Sequence, residues 1–118
     1  MNPNQTAALR AWLTEQIAAC ESQRTALWAD ERQDEANFAR IRANVYDIFR
    51  TVLKVAEGSP DGETLFAAKL MEIPSLWQKA HDQAERHGDA ATLCIERIKL
   101  DAAAKVRAKF ETIRRDAT

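Results

Sequence analysis

The sequence is short of residues that interrupt helices: it has three glycines and three prolines among 118 residues, with two cysteines, two histidines and one tyrosine. So little glycine and proline excludes collagen-like and low-complexity chains, and two cysteines are too few for a disulfide-built scaffold. No apolar run approaches the roughly 18 residues of a membrane span, and the first twenty residues lack a signal-peptide core. A cytoplasmic protein with no membrane partner is expected. Cys20 and Cys94 are far apart, with no CxxC spacing or clustered histidine, and read as reduced, small core residues.

What is present is alanine, with 22 copies, in a chain that is 46% hydrophobic and 30% charged with a net charge of −1. That balance excludes a disordered polyelectrolyte. The larger apolar side chains suffice for one core that buries roughly two-thirds of the unfolded surface. Residues 1–118 are therefore read as a single helical domain.

The few glycines and prolines act as punctuation. Asn2-Pro3 with Gln5 is an N-cap, a first-turn proline and a capping-box partner, and starts a helix. Gly58 reads as a left-handed C′ residue, and Ser59-Pro60-Asp61 as a second start near Pro60. His87-Gly88-Asp89 combines a last-turn histidine, a C′ glycine and a new N-cap. Between these marks the apolar residues recur at helical spacing, with no strand alternation. Phe66, Leu70, Ile73, Trp77, Ala80, Ala84 and His87 share one face, in phase through Pro74, which reads as a kink inside one helix. Ala91, Ile95, Ile98, Ala102, Val106, Phe110 and Ile113 form the equivalent stripe in the last helix. Trp12, Trp28 and Trp77 are placed at the edges of the core.

Residues 3–57 carry two stripes: Leu9, Leu13, Ile17, Cys20 and Leu27, then Phe38, Ile41, Val45, Ile48, Val52 and Val55. The hexapeptide between them, Asp30-Glu31-Arg32-Gln33-Asp34-Glu35, holds neither glycine nor proline. An unbroken helix would be about 80 Å long and would need a partner subunit to bury half its stripe. The alternative fold class is thus three helices with a very long first helix, in a dimer. The favoured one is an all-α, antiparallel up-down four-helix bundle in which the chain turns near residues 29–33, with Asp30 or Asp34 capping the new helix.

Candidate chemistry is sparse. No Glu-x-x-His pair, calcium loop, GxSxG elbow, HExxH or phosphate-binding glycine loop occurs. His81 and Glu85, one turn apart, could share a metal with Glu35, but His81 reads more simply as a surface residue near Glu85, and His87 as a complement to its helix dipole. Asp30, Glu31, Asp34 and Glu35 read as a solvated turn. The basic residues of the last helix, Arg97, Lys99, Lys105, Arg107, Lys109, Arg114 and Arg115, are scattered around its axis and interrupted by acids. This argues against nucleic-acid binding, and pairs such as Asp101 with Lys105 and Glu111 with Arg115 are expected instead.

No catalytic, cofactor-binding or metal residue is assigned, and no cofactor is expected. In length and helical content the chain resembles small bacterial helical adaptors and secretion or flagellar export chaperones, a likeness of class carried by no motif. The expected function is non-catalytic: protein contacts of an adaptor or chaperone-like kind, with self-association. The surfaces singled out are the hinge from Trp28 to Glu35 and the part of the second helix near Tyr46, Arg50 and Lys54. The alternatives are a small-ligand or metal-binding bundle enzyme using buried carboxylate and histidine groups, and weak nucleic-acid binding through the C-terminal helix.

Overall fold

A computed structural model describes residues 1–116, as four antiparallel helices: α1 (Pro3–Ala29), α2 (Gln33–Glu57), α3 (Gly62–His87) and α4 (Ala90–Arg115). The arrangement is an up-down four-helix bundle, and the long, unbroken first helix of the alternative does not form. None of the four is long and apolar enough to cross a membrane.

α1 starts as its sequence dictates. Asn2 Oδ1 accepts from the Gln5 amide and Gln5 Oε1 accepts from the Asn2 amide, both at 2.8 Å, closing the capping box. Its end is less expected. The Arg32 amide donates to the Leu27 carbonyl at 2.9 Å and the Glu31 amide to the Trp28 carbonyl at 3.1 Å, with Glu31 in the left-handed region at φ 60°. This is a Schellman turn with glutamate at the C′ position that glycine usually occupies. Neither Asp30 nor Asp34 caps α2; the N-cap is Arg32, without a side-chain bond. Asp30 is instead consumed as the last residue of the α1 terminus, which removes it from the α2 start.

The α3 end shows the same motif with its usual residue. Gly88 has φ 68°, the Asp89 amide reaches the Ala84 carbonyl at 2.9 Å, and the Gly88 amide reaches Glu85 at 3.3 Å. Asp89 then caps α4 through the Thr92 amide at 3.1 Å. Gly58, by contrast, is right-handed at φ −82°. There the chain leaves α2 through i to i+3 bonds from Gly58 to Val55 and from Ser59 to Ala56, so no left-handed residue is needed. α3 begins at Gly62, two residues after Pro60, and its N-cap Asp61 makes no side-chain bond. The glycine that matters for packing here is Gly62, where a Cβ would lie 2.3 Å from the Ala56 carbonyl oxygen. α3 runs without a break through Pro74.

In cross-section the bundle is a rhombus. α2 touches all three other helices, α4 also touches α1 and α3, and α1 and α3 do not meet. Alanines at buried positions on both helices of the short diagonal, Ala43 on α2 and Ala102 and Ala103 on α4, keep the side chains there small enough for a close approach. The flattened outline, 44 × 35 × 23 Å, follows from that geometry. Phe49, Phe66 and Phe110 fill the centre, with ring centroids 6.4 Å apart for Phe49 and Phe66 and 5.0 Å for Phe66 and Phe110. They join α2, α3 and α4, while Trp12 meets Tyr46 edge-on at 5.8 Å to join α1.

The buried face of α2 keeps part of the expected stripe and extends beyond it. Ile41 and Val45 are buried and Phe38 and Val52 half-buried, joined by Ala36, Ala39, Ala43, Tyr46, Phe49, Leu53 and Ala56, while Ile48 and Val55 are exposed. A helix with three neighbours buries its small residues where those neighbours come close, and this turns part of the branched stripe outward. Of the tryptophans, Trp12 and Trp77 pack on the core edge, but Trp28 is 62% exposed. Cys20 is buried, whereas Cys94 is exposed and not a core residue.

The core lies towards the end where α1 starts. Polar contacts lock that end: Gln5 Nε2 donates to the Ile113 carbonyl at 3.1 Å, Arg10 pairs with Glu57, and Glu63 pairs with the Met1 amine and, at 3.8 Å, with Arg114.

Two sets of variants test these local arguments. Glu31→Gly should stabilise by about 1 kcal/mol, by removing a left-handed non-glycine residue, and Gly88→Ala should destabilise by about as much. Thermal melts should therefore shift in opposite directions. The hydrogen bond from the Met1 amine holds the Glu63 carboxyl below its ordinary range. Its contribution is present above the unfolded pKa and lost as pH falls through the lower folded value. Denaturant titrations of Glu63→Gln should show a shallower loss of stability below about pH 4.5, near the ordinary glutamate pKa.

Candidate interaction surface at the bundle tip

Both reversals at the end opposite the polar lock place chain termini of helices side by side, and the α1–α2 reversal carries the most exposed aromatic residue of the described chain. Trp28, in the last turn of α1, is exposed, while its neighbour Leu27 is half-buried. It stands at the rim of an open groove of about 480 Å³ with Arg24, Ala36, Asn37 and Arg40 among the lining residues. Arg24 is engaged by Glu21 at 3.2 Å, and Arg40 donates to Asn37 Oδ1 at 2.7 Å through Nη2. The groove thus sets the Trp28 ring and Ala36 beside two oriented guanidinium groups in an otherwise polar lining.

The acidic run beside it is partly neutralised. Arg32 pairs with Glu35 and lies 3.9 Å from Asp30, leaving Glu31 and Asp34 towards solvent. The geometry is that of a solvated turn.

The second surface singled out by the sequence does not assemble. Tyr46 is 2% exposed, its phenol raised above the ordinary range by burial and then by the neighbouring Cys20. Arg50 donates to Asp47 at 2.8 Å and Thr14 at 3.5 Å, and only Lys54 projects freely near the end of α2. Tyr46 cannot contribute to an exposed surface because Trp12 of α1 packs against it.

His81 turns to the adjacent carboxylate and not to Glu85. Its Nδ1 lies 3.0 Å from Asp82 Oδ1, which also accepts from Gln78 Nε2 at 2.9 Å. These hydrogen bonds, His81 first, hold the Asp82 carboxyl below its ordinary range. Among the described residues no three His, Cys, Asp or Glu side chains converge to hold a metal, so Glu35 does not join His81 and Glu85. In α4 the basic residues pair three apart, Lys99 with Glu96 at 3.1 Å and Arg114 with Glu111 at 3.4 Å, in place of the expected i,i+4 pairs. Rotamers that lay Lys99 over Trp77 and Arg114 over Phe110 select that spacing.

One residue escapes sequence reasoning altogether. Glu96 is 7% exposed, with Oε1 held by Lys99 and Oε2 without a hydrogen-bond partner among the described residues. An acid beside seven basic residues in the last helix reads as surface, and only packing within the bundle makes it buried.

Comparison with family models, with curated proteins and with solved structures finds no match to this chain. Its function is therefore argued from its own surfaces.

The cysteines offer a direct check of the two environments. Burial pushes the Cys20 thiol up against the opposing pull of Arg42 and Lys105, while Cys94 is open to solvent. A chromogenic disulfide reagent should label one thiol rapidly and the second only at roughly the rate of local or global opening, and Cys94→Ser should remove the fast phase.

Proposed function

We propose that this protein is a non-catalytic helical bundle that acts through protein contacts, and that the tip formed by the α1–α2 reversal is the contacting surface, with a second copy of the chain as its first occupant. The observation that carries this reading is the exposure of Trp28 beside a groove that could receive the same side chain from another molecule. Tryptophan and arginine are the residue types that dominate binding energy at interfaces. A two-fold contact would set Trp28 of each copy against the guanidinium groups of Arg24 and Arg40 in the other, a cation–π arrangement, while Glu31 and Asp34 supply opposite charge. Opposite signs on one small surface make it complementary to itself.

A second reading has its own support. Opening the strained turn at Glu31 relieves its left-handed backbone and would let α1 and α2 run on into one helix, exchanging a hairpin between two copies. Light scattering over a concentration series up to about 1 mM separates the two. Tip docking predicts a reversible dimer that Trp28→Ala weakens about tenfold or more while leaving the melting temperature within a few degrees. A monomer throughout overturns self-association. A dimer indifferent to Trp28→Ala but suppressed by Glu31→Gly overturns tip docking in favour of exchange.

A further inference from the structure

A different groove, about 600 Å³ and open to solvent, lies where α1, α2 and α4 meet, remote in character from the tip. Its wall is made by Gln16, Cys20 and Gln23 of α1, Arg42 and Tyr46 of α2, and Lys105 of α4, and none of the residues lining it is acidic. Two cations from two different helices therefore converge on one concavity. Several basic residues of these helices pair three apart, Arg24 with Glu21, Arg32 with Glu35, Arg50 with Asp47, Lys99 with Glu96 and Arg114 with Glu111; of those that make no ion pair, Arg42 and Lys105 are the two that line this concavity. Among the described residues, Arg42 and Lys105 have no carboxylate within 4 Å. Asp101, one turn before Lys105, does not approach it, and Glu21, next to Cys20, is occupied by Arg24 at 3.2 Å.

The donors are also positioned. Arg42 Nη2 donates to Gln23 Oε1 at 3.0 Å, which orients the guanidinium against α1, next to the buried Cys20. Tyr46 is held rigidly by its edge-on contact with Trp12. Burial keeps the Tyr46 phenol in its neutral, proton-bearing form. The groove thus combines two positive charges that make no ion pair with a neutral phenol and no acidic residue in its lining, the arrangement that a tetrahedral dianion satisfies.

We propose that this groove binds a phosphate group, free or carried as a monoester on a small molecule, with Arg42 and Lys105 holding its charge. A phosphate monoester carries about −1.5 to −2 at neutral pH and so matches the two cations, and its several acceptor oxygens exceed what one carboxylate offers. The site is independent of the tip surface and does not use Trp28.

Isothermal titration calorimetry on the full chain, at low ionic strength in a buffer without phosphate, tests this with inorganic phosphate and with phenyl phosphate. Saturable binding is expected, weakened about tenfold or more by Arg42→Gln and by Lys105→Gln. Lys79→Gln, an exposed lysine on α3 that makes the same change in net charge, should leave it unaltered. Tighter binding of phenyl phosphate identifies a carried monoester as the ligand class, and equal affinities identify the phosphate group alone. Absence of saturation by either probe up to about 10 mM overturns the proposal. So does equal weakening by Lys79→Gln, since net charge alone would then account for the binding. Far-ultraviolet circular dichroism melts keep a folding defect in the groove variants from counting as loss of the site.

Discussion

Reversal of the chain between Leu27 and Arg32 is the constraint on which the rest of the structure depends. Without it α1 and α2 would share one axis, and the apolar side chains of α1 would lie beyond the reach of α3 and α4. With it, Leu9, Leu13 and Cys20 come down on α2 and α4 and complete a core inside one chain. The turn carries strain, since Glu31 occupies backbone space that suits glycine. It holds because the two Schellman hydrogen bonds satisfy helix-end carbonyls and because the packed α1–α2 face would be lost on opening.

α2 is the structural axis that this reversal creates. It touches every other helix, and its alanines allow close approach on some sides while Phe49 anchors the aromatic centre. Alanine gives little burial energy per residue but has the highest helix propensity and loses no side-chain entropy. A chain this rich in it forms rigid helices readily and relies on a small set of large residues to hold them together. Phe49, Phe66, Phe110 and Tyr46 are that set, all at or below 2% exposure. The branched residues Ile48 and Val55 are displaced to the surface as a consequence.

Charge follows the same logic of local against tertiary satisfaction. Six basic side chains, Arg24, Arg32, Arg50, Lys69, Lys99 and Arg114, find an acid three residues away in sequence, which needs little fold beyond the helix itself. Arg42 and Lys105 are brought together only by packing, as are Trp28 and Arg40 at the tip, and those are the two places where binding is proposed. Glu96 is the converse case, a local pair with Lys99 that packing has buried, leaving one oxygen unpartnered.

The sequence by itself determined the helical class, the start at Pro3, the left-handed Gly88, the passage of α3 through Pro74 and the isolation of the two cysteines, because caps, propensity and periodicity are local properties. It also marked the segment from Trp28 to Glu35 as the place where the architecture would be decided. Only the tertiary structure decided that the chain turns there, since Glu31 takes a conformation that no side-chain preference announces. The tertiary structure also turned α2 to bury its alanines, covered Tyr46, exposed Trp28 and Cys94, and gathered Arg42 and Lys105 into one groove. Each of these depends on which helix lies opposite, and the close approach of α2 and α4 across the bundle is a property of all four helices together.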